Sequence, residues 1–193
     1  MKNILILGAG RSTPVLISYL LSRSKKYDWF LTVGDFAVES ANSLVADSDN
    51  SRSIFFDVTN EKQRRDEIRR ADIVVSMLPA SMHVMVARDC IEFSTHFVSA
   101  SYVSDDMMCL DNEAKEKGVL LLNEIGLDPG IDHMSAMKVI DNIRDAGGRL
   151  TSFKSYCGGL VHPDYDKNPG NYKFTWNPRN VVLAGQGTAR YIK

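Results

Sequence analysis

Short apolar runs alternate with amphipathic stretches along most of this chain. Ile4-Leu5-Ile6-Leu7 is an apolar run closed by Gly8, the pattern of a buried parallel strand. Pro14 then opens a segment in which Val15, Leu16, Tyr19, Leu20 and Leu21 recur at helical spacing; Pro suits the first position of a helix because its missing N–H has no partner there. The alternation continues. Strands are predicted at 29–33, 54–56, 73–75, 97–98 and 119–122, and helices at 36–44, 61–70, 80–91 and 104–117. Strands separated by helices predict an α/β fold with a doubly wound parallel sheet. After the sixth strand, Asp128-Pro129 reads as a helix start, with Asp128 as the cap and Pro129 in the first turn. Ile131, Met134, Val139, Ile140 and Ile143 carry that helix to Gly147-Gly148. Residues 149–156 alternate loosely, as a strand outside the first domain would. An aromatic-rich loop region and a last helix at 180–191 follow.

Composition narrows the class. The 193 residues are 44% hydrophobic and 24% charged, enough for one complete core and part of a second. Lys+Arg 23 against Asp+Glu 24 gives a net charge of -1, and no basic stripe points to nucleic acid or an anionic membrane. The run Arg64–Arg70 pairs Glu61 with Arg65 and Asp66 with Arg70 at helical spacing, which predicts a solvated helix face. Cys90, Cys109 and Cys157 form neither a disulfide framework nor a zinc pattern, so no metal is expected and a reducing cytoplasm fits. The first apolar run is too short for a signal peptide or a membrane span.

The chemistry gathers at the carboxyl ends of the predicted strands, where ligands bind in doubly wound sheets. Gly8-Ala9-Gly10-Arg11-Ser12-Thr13 lies between strand and helix, the context of a Rossmann dinucleotide turn. Thr13 stands where a third glycine is usual, and an ordinary tight turn could carry the same two glycines. Asp35, at the end of the second strand, can accept from the adenosine ribose, which favours NAD over NADP; it could also cap the helix at 36–44, and Arg11 could still accommodate a 2′-phosphate. Asp57 and Val58 end the third strand beside the expected adenine, although Asn60 and Gln63 also resemble a capping box there. Leu78-Pro79 follows the fourth strand and Ser101-Tyr102 the fifth. Asn123–His133 falls on this same edge. Its helix start offers a carboxylate-binding N-terminus, or simply a capped helix at a domain boundary.

Several of these segments together resemble saccharopine dehydrogenase of the glutamate-forming type. They are Gly8-Ala9-Gly10, Leu78-Pro79 with His83, Ala100-Ser101-Tyr102, Glu124–His133, Ser155–Leu160, Tyr172-Lys173-Phe174 and Trp176. The resemblance covers essentially the whole chain and is most specific at Gly126–His133 and Tyr156–Leu160. It implies an oxidoreductase of lysine metabolism acting on the CH–NH bond of saccharopine with NAD, or NADP. The products would be glutamate and 2-aminoadipate semialdehyde. It implies a Rossmann domain at 1–125 and, at 126–193, the first part of an α+β substrate domain that family members continue further. His162-Pro163 departs from the family's usual turn after Gly159-Leu160. A homodimer is allowed for, with no nucleic acid or membrane partner. Gly8, Gly10, Arg11, Ser12, Thr13, Asp35, Asp57, Val58, Leu78 and Pro79 are then the cofactor-binding candidates. Ser101, Tyr102, Asp128, Cys157 and Gly158 are the substrate-binding candidates.

His83, Tyr102 and Asp128 are the candidates for proton transfer and charge stabilisation. His83 could equally be a partly exposed histidine of the first helical turn. His133 reads as structural, and Cys157 as a pocket wall because no activating partner is recognisable. Lys173, Arg144 and Arg179 are possible carboxylate anchors. Two other readings stay open: a related C–N dehydrogenase that forms carboxylated polyamines, and a nucleotide-binding module without catalysis.

Overall fold

In the computed structural model the apolar runs form one six-stranded parallel sheet in the order β3-β2-β1-β4-β5-β6. The described residues are 1–45, 48–156, 161–165, 167 and 182. The strands are β1 Lys2–Leu7, β2 Trp29–Asp35, β3 Ser51–Phe55, β4 Ile73–Ser76, β5 His96–Ser99 and β6 Leu121–Leu122. The helices are α1 Pro14–Tyr27, α2 Val38–Val45, α3 Glu61–Arg69, α4 His83–Glu92, α5 Asp105–Met108, α6 Asp111–Lys117 and α7 Ile131–Asp145. This is the Rossmann arrangement: the chain runs outward from β1 to β3, returns to the middle at β4, and runs outward the other way.

The sheet core follows from the two-residue period of its central strands. Ile4 and Ile6 of β1 and Leu31 and Val33 of β2 face α1 and α2, meeting Ile17 and Ala41. Leu5 and Leu7 face the other side, where Val74 and Phe97 pack with Ile68, Val86, Ile91 and Leu110. Both faces are covered, so these strands read as continuous apolar runs.

Four local expectations are corrected. The helix predicted over 104–117 is two helices. Ser104 caps the first by accepting from the Met107 N–H at 3.2 Å, and the break at Cys109-Leu110 lets Met107, Leu110 and Ala114 all reach the core. The helix predicted from Ala80 begins as a 3-10 turn, Ala80–Met82, before α4. Asp128 is not the cap of α7 and Pro129 is not in its first turn. The Gly126 N–H bonds Pro129 O at 2.8 Å and the Ile131 N–H bonds Gly126 O at 3.0 Å, closing a loop that delays the helix to Ile131, with Gly130 as its N-cap. A Cβ on Gly130 would overlap the Gly126 backbone, so the residue there must be glycine. Residues 149–156 form no strand, and Phe153 and Tyr156 are exposed. The helix predicted at 180–191 lies outside the described residues, apart from Val182.

The run in α3 is also less solvated than predicted. Arg64 is largely buried and pairs with Asp89 of α4 at 2.6 Å. Arg65 pairs with Asp89 and Glu92 rather than Glu61, and Arg70 with Glu67 rather than Asp66. The capping box is half made. Asn60 accepts from the Gln63 N–H at 3.1 Å, while the Gln63 amide turns to Asp57 N and Phe55 O.

The chain divides into two compact units, Met1–Thr151 and Ser152–Lys193. Within the second, Pro163–Tyr165 forms a 3-10 turn. Among the described residues no helix is long and apolar enough to cross a membrane, and no group of three or more His, Cys, Asp or Glu could hold a metal ion.

Candidate functional site

The carboxyl edge of the sheet is built outward from Gly8. Its N–H bonds Gly34 O at 2.8 Å, while the Met77 N–H bonds Leu7 O at 2.8 Å. Gly8 is thus held where β2 and β4 flank β1. Its φ is 102°, and a Cβ there would stand 3.0 Å from the Met77 carbonyl oxygen. Only glycine suits both the conformation and the space. Gly10, in contrast, faces open space: a Cβ there would meet nothing within 4 Å. Thr13 fills the third-glycine position inward. It is 1% exposed, and its hydroxyl donates to Gly10 O at 3.0 Å. No side chain caps α1, and no acidic residue lies in its first turn. Among the described residues no carboxylate satisfies its N-terminal donors, as a phosphate-binding helix requires. An open cradle at Gly10 beside an uncapped 14-residue helix fits the pyrophosphate of a dinucleotide. Arg11 and Ser12 are exposed on the same turn.

Asp35 stands at the end of β2. One carboxylate oxygen accepts from the Ala9 N–H at 2.6 Å and the other from the Ala37 N–H at 2.8 Å. Asp57 accepts from the hydroxyl and N–H of Thr59 at 2.6 and 2.9 Å, and these bonds hold its carboxyl below the usual range. The Val58 side chain is buried in the core, and its carbonyl accepts from Arg64 at 2.8 Å. Leu78 packs against that core, and Pro79 is exposed.

Across the switch point lies a buried polar chain. His83 is 3% exposed, which corrects the reading of a partly exposed first-turn histidine. Its Nδ1 is 2.9 Å from Ser76 Oγ and its Nε2 2.9 Å from Ser101 Oγ. Burial pushes the imidazole down to about 4, so the ring is neutral at physiological pH. One ring nitrogen then donates and the other accepts. Ser76 had no motif to single it out; its signal was its place at the end of β4.

The loop after β6 completes the edge. The Tyr102 hydroxyl donates to Asp128 Oδ1 at 3.0 Å. Partial burial, and then this bond to a carboxylate, raise the phenol above its ordinary value. The Glu124 N–H bonds Ser101 O at 3.1 Å, its carboxylate accepts from the Val103 N–H at 3.0 Å, and the Ser99 hydroxyl donates to Asn123 Oδ1 at 2.9 Å. These bonds fasten the loop to the end of β5. Asp132 accepts from the Gly130 N–H at 2.8 Å and lies 2.6 Å from His133 Nδ1; the Asp132 bond raises the His133 imidazole. Tyr102 and Asp128 thus meet, while the hydroxyl of the neighbouring Ser101 turns to His83. Arg144 is exposed, 3.8 Å from Asp141. Cys157, Gly158, Lys173 and Arg179 lie outside the described residues.

Two family models match the chain. "Saccharopine dehydrogenase NADP binding domain" matches residues 4–122 and "Saccharopine dehydrogenase C-terminal domain" residues 126–193. The saccharopine dehydrogenase [NADP(+), L-glutamate-forming] of Pyricularia oryzae is 40% identical over 192 residues, which are 100% of this chain and 42% of that protein. The alpha-aminoadipic semialdehyde synthase of Arabidopsis thaliana is 38% identical over 98% of this chain and 20% of its own length. Among solved structures, the apo histidine-tagged saccharopine dehydrogenase (L-Glu forming) from Saccharomyces cerevisiae superposes with a TM-score of 0.83 and 38% identity. That match covers 95% of this chain and 40% of that one. The chain therefore spans about two fifths of the length of its fungal relatives and about one fifth of the plant synthase.

Proposed function

Because the chain belongs to the saccharopine dehydrogenase family, we propose that it carries the nucleotide-binding part and one wall of the substrate site of an oxidoreductase. The reaction oxidises the CH–NH bond of saccharopine, giving glutamate and 2-aminoadipate semialdehyde. The observation that carries this reading is a continuous edge. Gly8 abuts Met77, Ser76 leads through His83 to Ser101, and Tyr102 bonds Asp128. Residues 126–193 are proposed to begin the substrate domain. The nucleotide is proposed to be NADP, in keeping with the names of the family model and the fungal relatives. The case for NAD rested on Asp35, whose two oxygens are already engaged by backbone N–H groups.

The bound nicotinamide supplies the hydride acceptor. The protein's part is orientation and charge. The Tyr102 hydroxyl, kept protonated, holds one oxygen of Asp128, and Asp128 Oδ2 carries no hydrogen bond from the described residues. That oxygen suits the substrate's ammonium. Ser101, its hydroxyl fixed by His83, suits a substrate carboxylate. His83 itself is a positioning residue, since both its nitrogens are occupied.

The test is saccharopine-dependent reduction of NADP by a form extended to the length of the fungal relatives. Asp128→Asn and Tyr102→Phe are expected to lower kcat by about 10²-fold or more. Turnover of a carboxylated polyamine in place of saccharopine would overturn the substrate. Nucleotide binding without turnover of either would reduce the chain to a binding module.

A further inference from the structure

The acidic residue that ends the second strand of a dinucleotide-binding sheet is read as the acceptor for the adenosine ribose hydroxyls. Here that carboxylate already has two partners. Asp35 Oδ2 accepts from the Ala9 N–H at 2.6 Å, inside the Gly-rich turn, and Oδ1 accepts from the Ala37 N–H at 2.8 Å, ahead of α2. Two further backbone bonds frame it: Gly8 N–H to Gly34 O at 2.8 Å and Phe56 N–H to Asp35 O at 2.9 Å. A carboxylate bound by backbone N–H groups makes shorter and stronger hydrogen bonds than a neutral acceptor does. Moving it to a ribose would strand the Ala9 N–H, and Ala9 is 8% exposed.

We infer that Asp35 is a positioning residue whose carboxylate locks the Gly-rich turn to the end of β2 and the approach to α2, and that Arg11 discriminates between phosphorylated and unphosphorylated dinucleotides. This rests on the reading that a dinucleotide binds at this turn. Arg11 is the cation of the 8–13 turn. It is exposed, and no hydrogen bond or ion pair to it is found among the described residues, so its guanidinium is available to a 2′-phosphate, which it can grip with two parallel N–H groups. The negative charge of Asp35, shared between two N–H groups, opposes that phosphate less than a bare carboxylate would. The chain thereby combines an acidic β2 terminus with NADP.

The experiment is titration calorimetry of NADP and NAD against the 193-residue chain and its Asp35→Asn and Arg11→Ala variants, together with the Ala9 amide resonance. Asp35→Asn keeps the shape but offers one acceptor oxygen in place of two. It is expected to weaken both nucleotides by a similar factor, about tenfold, and to leave their ratio within twofold. Arg11→Ala is expected to weaken NADP tenfold or more and NAD less than twofold. In the unmodified chain the Ala9 amide is expected far downfield, unchanged when NAD is added. The inference is overturned if Asp35→Asn costs NAD alone or improves NADP, if Arg11→Ala weakens both equally, or if NAD shifts the Ala9 amide upfield. Should Asp35→Asn not fold, the amide resonance and Arg11→Ala still decide. If neither nucleotide binds the unmodified chain, the dinucleotide reading and the Arg11 role both fail, while the amide in the free protein decides the Asp35 lock.

Discussion

His83 shows how a side chain's surroundings set its chemistry. Inside the fold, between two serine hydroxyls, it stays neutral down to about pH 4; in the unfolded chain it protonates near 6.5. Between these values the unfolded state binds a proton that the folded state refuses, so protonation favours unfolding. The stabilisation is complete above about pH 6.5 and is lost as pH falls towards 4, amounting to about 3 kcal/mol. Urea unfolding at pH 7.5 and 4.5 checks this. The unmodified chain is expected to lose at least about 2 kcal/mol more than His83→Gln over that interval, and parallel losses would mean a solvated imidazole. The sequence placed Ser101 on the carboxyl edge and offered His83 as a proton-transfer candidate. It could not tell that Ser76 and Ser101 bracket the ring, because their distance depends on how β4 and β5 pair. Asp128 was legible by position as a residue of the carboxyl edge; its role as a helix cap was misread, because the turn bonds through Gly126 and Pro129 are invisible in spacing rules.

Between elements, the firmest electrostatic joint links α3 to α4. Asp89 is 5% exposed and receives Arg64 at 2.6 Å, while Arg64 also donates to Val58 O at 2.8 Å. Removing one partner of such a pair leaves a charge without compensation. Asp89→Ala is therefore expected to destabilise the chain by about 3–5 kcal/mol, read as a shift in the urea midpoint. A loss under about 1 kcal/mol would show that Arg64 swings out to solvent. Replacing both residues with leucine or methionine should recover most of the loss. Helix α3 itself was plain in the sequence from its cap and its charge pattern. Its true partners were not, because intrahelical spacing sees only neighbours three and four residues away, whereas Arg64 and Arg65 reach across to a different helix. The break between α5 and α6 was hidden for a similar reason. It is set by which side chains the core admits, and no Gly or Pro within 104–117 marks it.

At the scale of the molecule, the fold was the most legible feature, because alternating buried strands and helices admit few topologies. A dinucleotide that binds the folded edge and not the unfolded chain must stabilise it. At a hundredfold excess over its Kd, NADP is expected to add about 2.7 kcal/mol, and so to raise Tm by about 5–10 °C. Gly8→Ala should abolish that shift, since the new methyl group meets the Met77 carbonyl at a φ of 102°. Scanning fluorimetry with and without nucleotide reads both, and an undiminished shift in the variant would move the binding site elsewhere. The strand order carries one more consequence. The chain leaves β3 and re-enters the sheet at β4, on the far side of β1. Under the proposed function, the groups that grip the redox carrier then come chiefly from the first 60 residues, and those that meet the oxidised molecule from residue 100 onward. The two duties sit on separate stretches of sequence, joined along a seam through the end of β4, where Gly8 abuts Met77 and Ser76 leads through His83 to Ser101. A lineage could exchange its electron carrier by altering the first stretch and its fuel by altering the second, while the seam between them stays as it is.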